Sequence, residues 1–372
     1  MNLLDFVFKK ILWLFIFTGI PFVILCKDDI VFRDILGNES ILNPTVKKQI
    51  HEKYFWLKNS IYFKSLEDPK NKKESVRNPK WVREICKSDP SIATLTVQTE
   101  DGLTLPCLYF DRGKENLVVM GHGLADVSYK MILYAEIFHD CDVLIIGFRG
   151  HSLAAWYELR PWKRFFNIDF NCKFGEKEQL DVFAAVEKVK ELKKYENIIG
   201  FGPCYGAFVL AKAQGIKEAN NEKLFDKLIL YESWPNGKAF IEKYAKDPGI
   251  AINHQKHSYC ANLTLCKNGH LKKLFLWIIQ TFFEINCDKL NLVPYLQNIK
   301  NTPVLLLHAT NDIIVSNEEF EVVFNSLATQ NKQAVFFPCT HSRSHVWEKE
   351  VFAYVCNEFI YAKEKHENFK KL

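Results

Sequence analysis

The sequence lacks several features that mark whole classes of protein. It has no low-complexity tract, no internal repeat and no dense run of lysine or arginine, and its formal net charge over 372 residues is only +5. Proteins that bind nucleic acid usually concentrate basic residues in a patch or a tail. The chain therefore has the composition of an ordinary globular protein, and we predict no nucleic acid among its partners.

Metal-ligand spacing is also absent, although cysteine itself is plentiful. The eleven cysteines are scattered, and none forms a CxxC pair or a Cys/His cluster with zinc-ligand spacing. We therefore predict no metal and no other cofactor. Cys260 and Cys266 are close enough in sequence for a disulfide, and free thiols are the equal alternative. Most of the other cysteines lie in apolar runs that suit a protein core.

Aromatic residues are abundant, with 30 Phe, 14 Tyr and 8 Trp in a chain that is 48% hydrophobic. A chain of this length can form one large catalytic domain with additional segments. Its aromatic side chains suit a large core and are compatible with an apolar cleft for a substrate.

An apolar run near the N-terminus predicts a membrane anchor. Sixteen uncharged, mostly apolar residues extend from Ile11 to Cys26, after Lys9 and Lys10. No A-x-A-like cleavage site follows, so we expect residues 1–26 to be an uncleaved anchor, with a signal segment as the alternative. The preceding lysines predict a membrane-associated protein whose catalytic domain lies outside the cytoplasm.

From about residue 93 onward, strand and helix patterns alternate. Two strands joined at the Asp101-Gly102 turn come first, and short apolar runs such as Asn116 to Met120 then alternate with amphipathic helices such as Glu178 to Lys194. Such alternation is typical of βαβ units. The sequence therefore predicts the α/β class, with a mostly parallel central sheet flanked by helices.

The predicted domains follow from where this alternation starts and stops. The core spans residues 93–234 and 301–372, and the polar, proline-interrupted residues 27–92 form a helical lead-in. Residues 235–300 form a long, partly helical insertion, and the aromatic-rich segment 152–172 forms another. Insertions of this length are usually functional, so we predict caps or lids over the site. The aromatic cap suggests an apolar acyl group, and a cap packed on itself is the alternative.

The five residues Gly202-Pro203-Cys204-Tyr205-Gly206 stand between a predicted strand and a predicted helix. They have the G-x-S-x-G spacing of a nucleophile elbow, with cysteine in place of serine. The nucleophile there occupies a strained backbone position, so the residues two before and two after it must be nearly free of side chains. The following helix N-terminus favours an anion. A tight turn with a buried cysteine is the alternative for the pentapeptide alone.

An acid and a histidine follow the elbow in sequence. Asp312 comes shortly after the apolar strand 303–308, at the sheet edge where open α/β sheets form their sites. A turn or helix-cap aspartate is the alternative. His341 lies in the loop directly after the last strand, 333–337, whereas His345 falls at the start of the final helix. We favour His341 as the partner of Asp312 because of its loop position, with His345 as the competitor.

The order nucleophile, acid, histidine is that of the α/β-hydrolases, and residues 93–363 resemble that fold family. The cysteine elbow resembles that of dienelactone hydrolases. His122-Gly123-Leu124 is similar to the family's HG-x loop, and Phe148-Arg149-Gly150-His151-Ser152 is similar to its R-G-x-G-x-S turn. The resemblance implies that the backbone N–H groups of Leu124 and Tyr205 form an oxyanion hole, and that His122 is structural.

These observations favour an enzyme that acts on a small acyl substrate. We expect a hydrolase of an ester, lactone or thioester, with Cys204 as nucleophile, His341 as base and Asp312 as the acid that orients it. An acyltransferase with the same triad is the first alternative, because a thioester intermediate also reacts with amines and alcohols. A binding protein that kept the fold is the second, and the presence of both the acid and the histidine argues against it.

Overall fold

In a computed structural model of the chain, the structure describes residues 30–33, 39–60, 63–64, 84, 86–124, 126, 128–151, 171–246, 277, 280–281 and 284–362. The strands are β1 (Val31–Arg33), β2 (Glu39–Ile41), β3 (Ile92–Gln98), β4 (Thr104–Phe110), β5 (Asn116–Met120), β6 (Asp142–Ile146), β7 (Asn197–Pro203), β8 (Lys227–Tyr231), β9 (Val304–Ala309) and β10 (Lys332–Phe337). The α-helices are α1 (Pro44–Lys53), α2 (Ile132–Ile137), α3 (Gln179–Leu192), α4 (Tyr205–Ala219), α5 (Gly237–Lys246), α6 (Val293–Leu296), α7 (Asn317–Ser326), α8 (Ser344–Trp347) and α9 (Lys349–Tyr361). Short 3-10 helices cover Phe55–Asn59, Ser128–Met131 and Cys287–Lys289.

The ten strands form one mixed sheet in the order β2-β1-β10-β9-β8-β7-β5-β6-β4-β3. The strands from β10 to β6 in that order run parallel, and antiparallel pairs lie at both edges. This confirms the predicted α/β class with a mostly parallel sheet. Because neighbouring parallel strands end at the same edge, the loops after β7, β8, β9 and β10 come together there.

Successive side chains of the buried strands pack into two different hydrophobic clusters, which explains why these strands appear in the sequence as continuous apolar runs. In β5, Val118 and Met120 belong to one hydrophobic cluster, whereas Leu117 and Val119 belong to another. Successive side chains of a strand point to opposite faces, so each face of the sheet has its own core. Helices cover both faces, which is the arrangement expected for a parallel sheet.

The opening of α7 is fixed by its sequence. Ser316 caps the helix: its Oγ accepts the Glu319 N–H at 3.2 Å, and Glu319 Oε2 accepts the Ser316 N–H at 2.8 Å. This reciprocal pair satisfies two donors that the first turn would otherwise leave unpaired. Lys243 of α5 donates to Ile314 O at 2.7 Å, so α5 and the β9–α7 loop are joined.

The predicted helical lead-in, residues 27–92, is not only helical. Its described part includes α1 but also β1 and β2, and β1 pairs antiparallel with β10. The physical reason is that the edge of a sheet presents unpaired backbone groups, which a short added strand can satisfy. The lead-in therefore extends the sheet beyond the predicted core.

The membrane prediction is corrected. The apolar run on which it depended, within residues 1–26, lies outside the described residues. Among the residues that are described, no helix is long and apolar enough to cross a bilayer. The transmembrane helix, the membrane-associated location and the membrane partner predicted from the sequence are therefore not supported.

The predicted aromatic cap lies almost entirely outside the described part of the chain, and so does the middle of the predicted 235–300 cap. Residues 152–170 of the aromatic segment and most of 247–283 are not described, and neither are Cys260 and Cys266. The described beginning and end of the 235–300 insertion approach each other. The isolated bridge Asn236–Asn291 joins them, and Gly237 N–H donates to Leu290 O at 2.6 Å.

A buried ion-pair cluster anchors the turn after β6. Arg149 is 1% exposed, and its guanidinium donates to Asp181 Oδ1 at 2.7 Å and to both carboxylate oxygens of Asp101, at 2.6 and 3.0 Å. Asp181 also accepts the Arg149 backbone N–H at 2.8 Å. These contacts hold the loop that follows β6 against α3 and the β3–β4 turn.

Replacing Arg149 by methionine is expected to lower the free energy of unfolding by about 3–5 kcal/mol, because Asp181 would become a buried carboxylate without its counter-charge. Urea denaturation measures the change. Lys188→Met is the matched control, because Lys188 pairs with Glu191 on an exposed face of α3, and such pairs contribute about 0–1 kcal/mol. Equal effects of the two substitutions would contradict the anchoring role.

Candidate active site

Four adjacent parallel strands each place one chemically active residue at the same edge of the sheet. Cys204 directly follows β7, Glu232 directly follows β8, Asp312 lies in the loop after β9, and His341 lies in the loop after β10. The loop after β9 is bonded to the end of β10 and to the loop that follows it, since Thr310 N–H donates to Phe337 O at 2.9 Å and Asn311 N–H donates to Cys339 O at 3.1 Å. The sheet order thus gathers residues that are far apart in sequence.

The turn at Cys204 has the strained backbone that the sequence predicted. Cys204 has φ 55° and ψ −113° and directly precedes α4, and its N–H donates to Tyr231 O at 2.6 Å. A Cβ at Gly202 would lie 2.4 Å from the carbonyl carbon of Gly206, and a Cβ at Gly206 would lie 2.0 Å from Gly121 O. The two glycines therefore allow close approaches that no side chain would fit.

Gly206→Ala is expected to lower the free energy of unfolding by about 3 kcal/mol or more, because the added methyl group would overlap a backbone carbonyl. Chemical denaturation measures the change. Gly123→Ala is the matched control, since a Cβ there would meet its nearest neighbour, Asp126, at 3.8 Å, which is ordinary contact. A Gly206→Ala protein as stable as this control would contradict the close packing of the elbow on the Gly121 loop.

The accessibility of Cys204 separates it from the other described cysteines. It is half-buried, whereas the remaining seven in the described part of the chain are buried. Burial raises the pKa of several of these thiols, to about 12 for Cys86, Cys107 and Cys339. A reactive thiol must be reachable and able to ionise. Cys204 is therefore the described cysteine best placed to react with a ligand.

His341 and Asp312 are in direct contact. His341 Nδ1 lies 2.6 Å from Asp312 Oδ2, and because a carboxylate only accepts, Nδ1 carries the hydrogen. Oδ1 of Asp312 accepts the N–H groups of Ile314 and Val315, at 2.7 and 3.0 Å, so the carboxylate is held in place. Burial alone would raise the pKa of Asp312, but the charge of His341 and this hydrogen bond hold it below its usual value.

The charges around His341 favour its protonated form. Burial by itself would lower the pKa of the imidazole, but the charges of Glu232, Cys204 and Asp312 outweigh it and hold that pKa well above its usual value. The Cys204 turn is linked to His341 through the end of β8, because the Cys204 N–H donates to Tyr231 O at 2.6 Å and the next residue, Glu232, lies 3.0 Å from His341 Nδ1.

Glu232 is a further member of the site that no sequence motif marks. It is 1% exposed, and its Oε2 lies 3.0 Å from His341 Nδ1. Burial, with Asp312 adding its charge, raises the pKa of Glu232 to about 8. The only sequence signal was its position, immediately after a buried strand, which is where Cys204 stands after β7.

His345 and His122 have hydrogen-bond partners other than Asp312. His345 Nδ1 bonds the Tyr134 hydroxyl at 3.0 Å, and burial lowers the pKa of His345 to about 3. His122 Nδ1 bonds Gly123 O at 2.8 Å, its Nε2 accepts the Phe148 N–H at 3.3 Å, and burial lowers its pKa to about 4. The structure thus places His341, and not His345, against Asp312.

The two predicted oxyanion donors lie on neighbouring segments. Tyr205 is the first residue of α4, and the first four N–H groups of an α-helix have no partner within the helix. Leu124 belongs to the loop that begins at Gly121, and Gly121 packs directly on Gly206, the second residue of α4. The hydrogen bonds of His122 with Gly123 O and with the Phe148 N–H hold that loop in place.

Among the described residues, Glu232, Asp312 and His341 form a group that could hold a metal ion, with one ligand atom of each within 4.8 Å of the others. The hydrogen bond and the ion-pair contact already described account for this closeness without an ion. The three side chains therefore form a cluster in which two carboxylates contact one imidazole.

Comparison with known proteins identifies the fold. No protein-family model matches the chain, and no curated protein sequence matches it. Among solved structures, an esterase of Pyrococcus furiosus aligns over 72% of this chain and 91% of its own, with a TM-score of 0.52 and 18% identity. A hydrolase of Pseudomonas aeruginosa aligns over 73% and 99%, with a TM-score of 0.50 and 12% identity. An acylaminoacyl peptidase of Pyrococcus horikoshii aligns over 77% of this chain but 44% of its own, with a TM-score of 0.50 and 18% identity. The chain has the α/β-hydrolase fold.

Proposed function

We propose that the chain hydrolyses an ester, lactone or thioester of a small acyl substrate, with Cys204 as nucleophile. The observation that carries the proposal is the combination of a half-buried cysteine on a strained elbow with an imidazole held by a buried carboxylate. An inert structural cysteine would need neither the positive φ nor the nearby histidine, because strain of this kind is usually kept where function requires it.

In the proposed reaction, Cys204 has already given its proton to His341 when the substrate binds, and Asp312 stabilises the imidazolium of this thiolate–imidazolium pair. The thiolate attacks the substrate carbonyl carbon, and the negative oxygen that forms is stabilised by the N–H groups of Leu124 and Tyr205, each contributing about 3–4 kcal/mol. The leaving group departs with the proton from His341. Water, deprotonated by the same imidazole, then cleaves the acyl-thioester and regenerates the thiol.

Cysteine changes what the base must do. An unperturbed thiol ionises near pH 8.5, so the imidazole has to remove a far less tightly held proton than that of a serine hydroxyl. The N-terminus of α4 adds a favourable field for the thiolate. A cysteine in this elbow is therefore a competent nucleophile.

The solved neighbours support acyl chemistry as the reaction class. Structures that share the fold are named as an esterase, an acylaminoacyl peptidase and a hydrolase. Fold alone does not fix an activity, since one fold hosts many functions. The proposal rests on the site itself, and these neighbours make bond cleavage at an acyl group the reaction to test first.

The test is a panel of short and long p-nitrophenyl esters and acyl thioesters incubated with the full chain. Hydrolysis that needs Cys204 supports the proposal. Product that forms only with an added amine or alcohol would replace it with an acyltransferase. Absence of turnover, together with absence of labelling of Cys204 by an iodoacetamide probe, would overturn the enzyme assignment and leave a ligand-binding protein.

A further inference from the structure

Two carboxylates, not one, face the same nitrogen of His341. Asp312 Oδ2 lies 2.6 Å from Nδ1 and Glu232 Oε2 lies 3.0 Å from it. The two acids come from the ends of adjacent strands, β9 and β8. Orienting an imidazole requires one acceptor for its Nδ1–H. The second carboxylate is therefore unexplained by the proposed reaction.

Glu232 also fixes the loop that carries the histidine. Its Oε2 accepts the Ser342 backbone N–H at 2.5 Å and the Ser342 hydroxyl at 2.9 Å. Both residues have positive φ, 56° for Glu232 and 50° for Ser342. A non-glycine residue in this region is costly and persists only where surrounding contacts hold it. The Glu232–Ser342 contact thus ties two strained loops together directly beside the imidazole.

We propose that Glu232 is a second positioning carboxylate for His341, which holds the His341 loop and takes over the Nδ1 contact when Asp312 is neutralised. The inference rests on the proposed function, because it assigns a role in orienting the base of that reaction. It predicts that the imidazole keeps the tautomer needed for catalysis after loss of the Asp312 charge.

The charges around Glu232 are consistent with a reserve role. Its carboxylate is close to His341 and Asp312 in the neighbouring loops, to Cys339 in the loop after β10, to Tyr134 of α2 and to Tyr231 of β8. Two carboxylates this close disfavour double ionisation. Burial and the charge of Asp312 raise the pKa of Glu232 to about 8 against the opposing charge of His341, whereas the pKa of Asp312 is lowered, so Asp312 is the stronger acid of the two. Without the Asp312 charge, Glu232 ionises at lower pH.

A double-mutant cycle tests the inference, with Asp312→Asn, Glu232→Gln and the two together. Two rates are followed across pH: turnover of the best ester, and alkylation of Cys204 by iodoacetamide, which needs no substrate. A triad that loses its only acid falls by about 10⁴-fold because the histidine adopts the wrong tautomer. We expect Asp312→Asn to lose only about 10–100-fold, and the double variant to approach that full loss.

The pH profile adds a readout that a purely structural role would not move. The residual activity of Asp312→Asn should rise with pH as Glu232 ionises, and this rise should be missing in the double variant. Glu350→Gln is the matched control, since Glu350 is a carboxylate only 2% exposed that lies on α9, outside the site. It should leave both rates unchanged.

Equal rates in Asp312→Asn and in the double variant would overturn the inference. If the double variant does not fold, Asp312→Asn/Glu232→Asp replaces it, because the shorter side chain withdraws the carboxylate from Nδ1 and should be as slow. A wild-type Cys204 that alkylates no faster than an ordinary free thiol, with no turnover, would instead overturn the proposed function. The two failures are thereby distinguished.

Discussion

Replacing Cys204 by alanine is expected to lower kcat by about 10⁴–10⁶-fold, because the variant retains the oxyanion donors and the binding site but has no nucleophile. KM should change little, since alanine fits where the half-buried cysteine lies. Steady-state kinetics with the best ester of the panel measures both parameters. This is the largest effect expected among the substitutions proposed here.

Cys107→Ala is the matched control for that substitution. Cys107 is fully buried on β4, at the opposite end of the sheet order from β8 to β10, and its removal should leave kcat within a few-fold of wild type. Cys204→Ser should fall between the two, because a hydroxyl in the same elbow still faces His341 but is harder to ionise. A Cys204→Ala protein as active as Cys107→Ala would show that another residue performs the reaction.

Replacing His341 by glutamine is expected to lower kcat by about 10³–10⁴-fold, because the thiol loses its base and Asp312 loses the group that it orients. His345→Gln should keep kcat within about tenfold, since His345 bonds Tyr134 and contacts no acid in the described structure. Alkylation of Cys204 across pH should show the same contrast. In wild type the reactive thiolate should persist to lower pH than in His341→Gln.

The contrast between the two histidines is informative because they are four residues apart and equally buried. A loss caused by general damage to this segment would affect both variants, and their unfolding midpoints would shift together. If His345→Gln were the slower enzyme while both proteins stayed folded, the assignment of the base would be wrong.

Local sequence patterns were sufficient to predict most of the sheet. The strand Asn116–Met120 has the bounds expected from its apolar run, because it is buried on two faces and ends at polar or glycine residues. The elbow was recognisable for a different reason: two glycines at fixed distances from Cys204 are needed to avoid backbone overlap. In both cases the determining physics lies within a few residues of sequence.

Features that depend on long-range contacts could not be predicted in this way. Glu232 carries no local motif, and its role appears only when β8 lies beside β9 and places it against His341. The strand β1 is three residues long, too short for a pattern, and is defined by pairing with β10 some 300 residues later. The final helix was predicted as one segment, but the structure divides it at Glu348 into α8 and α9.

The membrane prediction failed for another reason. Hydropathy measures how apolar a run is, whereas crossing a bilayer as a helix also requires a length of about 20 residues. The run from Ile11 to Cys26 has sixteen. The run was therefore borderline from the start, and no described helix of the chain meets the requirement for crossing a bilayer.

The most direct test of Cys204 as the nucleophile is the chemical identity of the reaction intermediate. The full chain is mixed with an excess of the best p-nitrophenyl ester, quenched with acid within the first turnover, digested and analysed by peptide mass spectrometry. The mass of one acyl group is expected on the peptide containing Cys204, and none in Cys204→Ala. An acyl group found on another residue, or turnover without any acylated peptide, would contradict it.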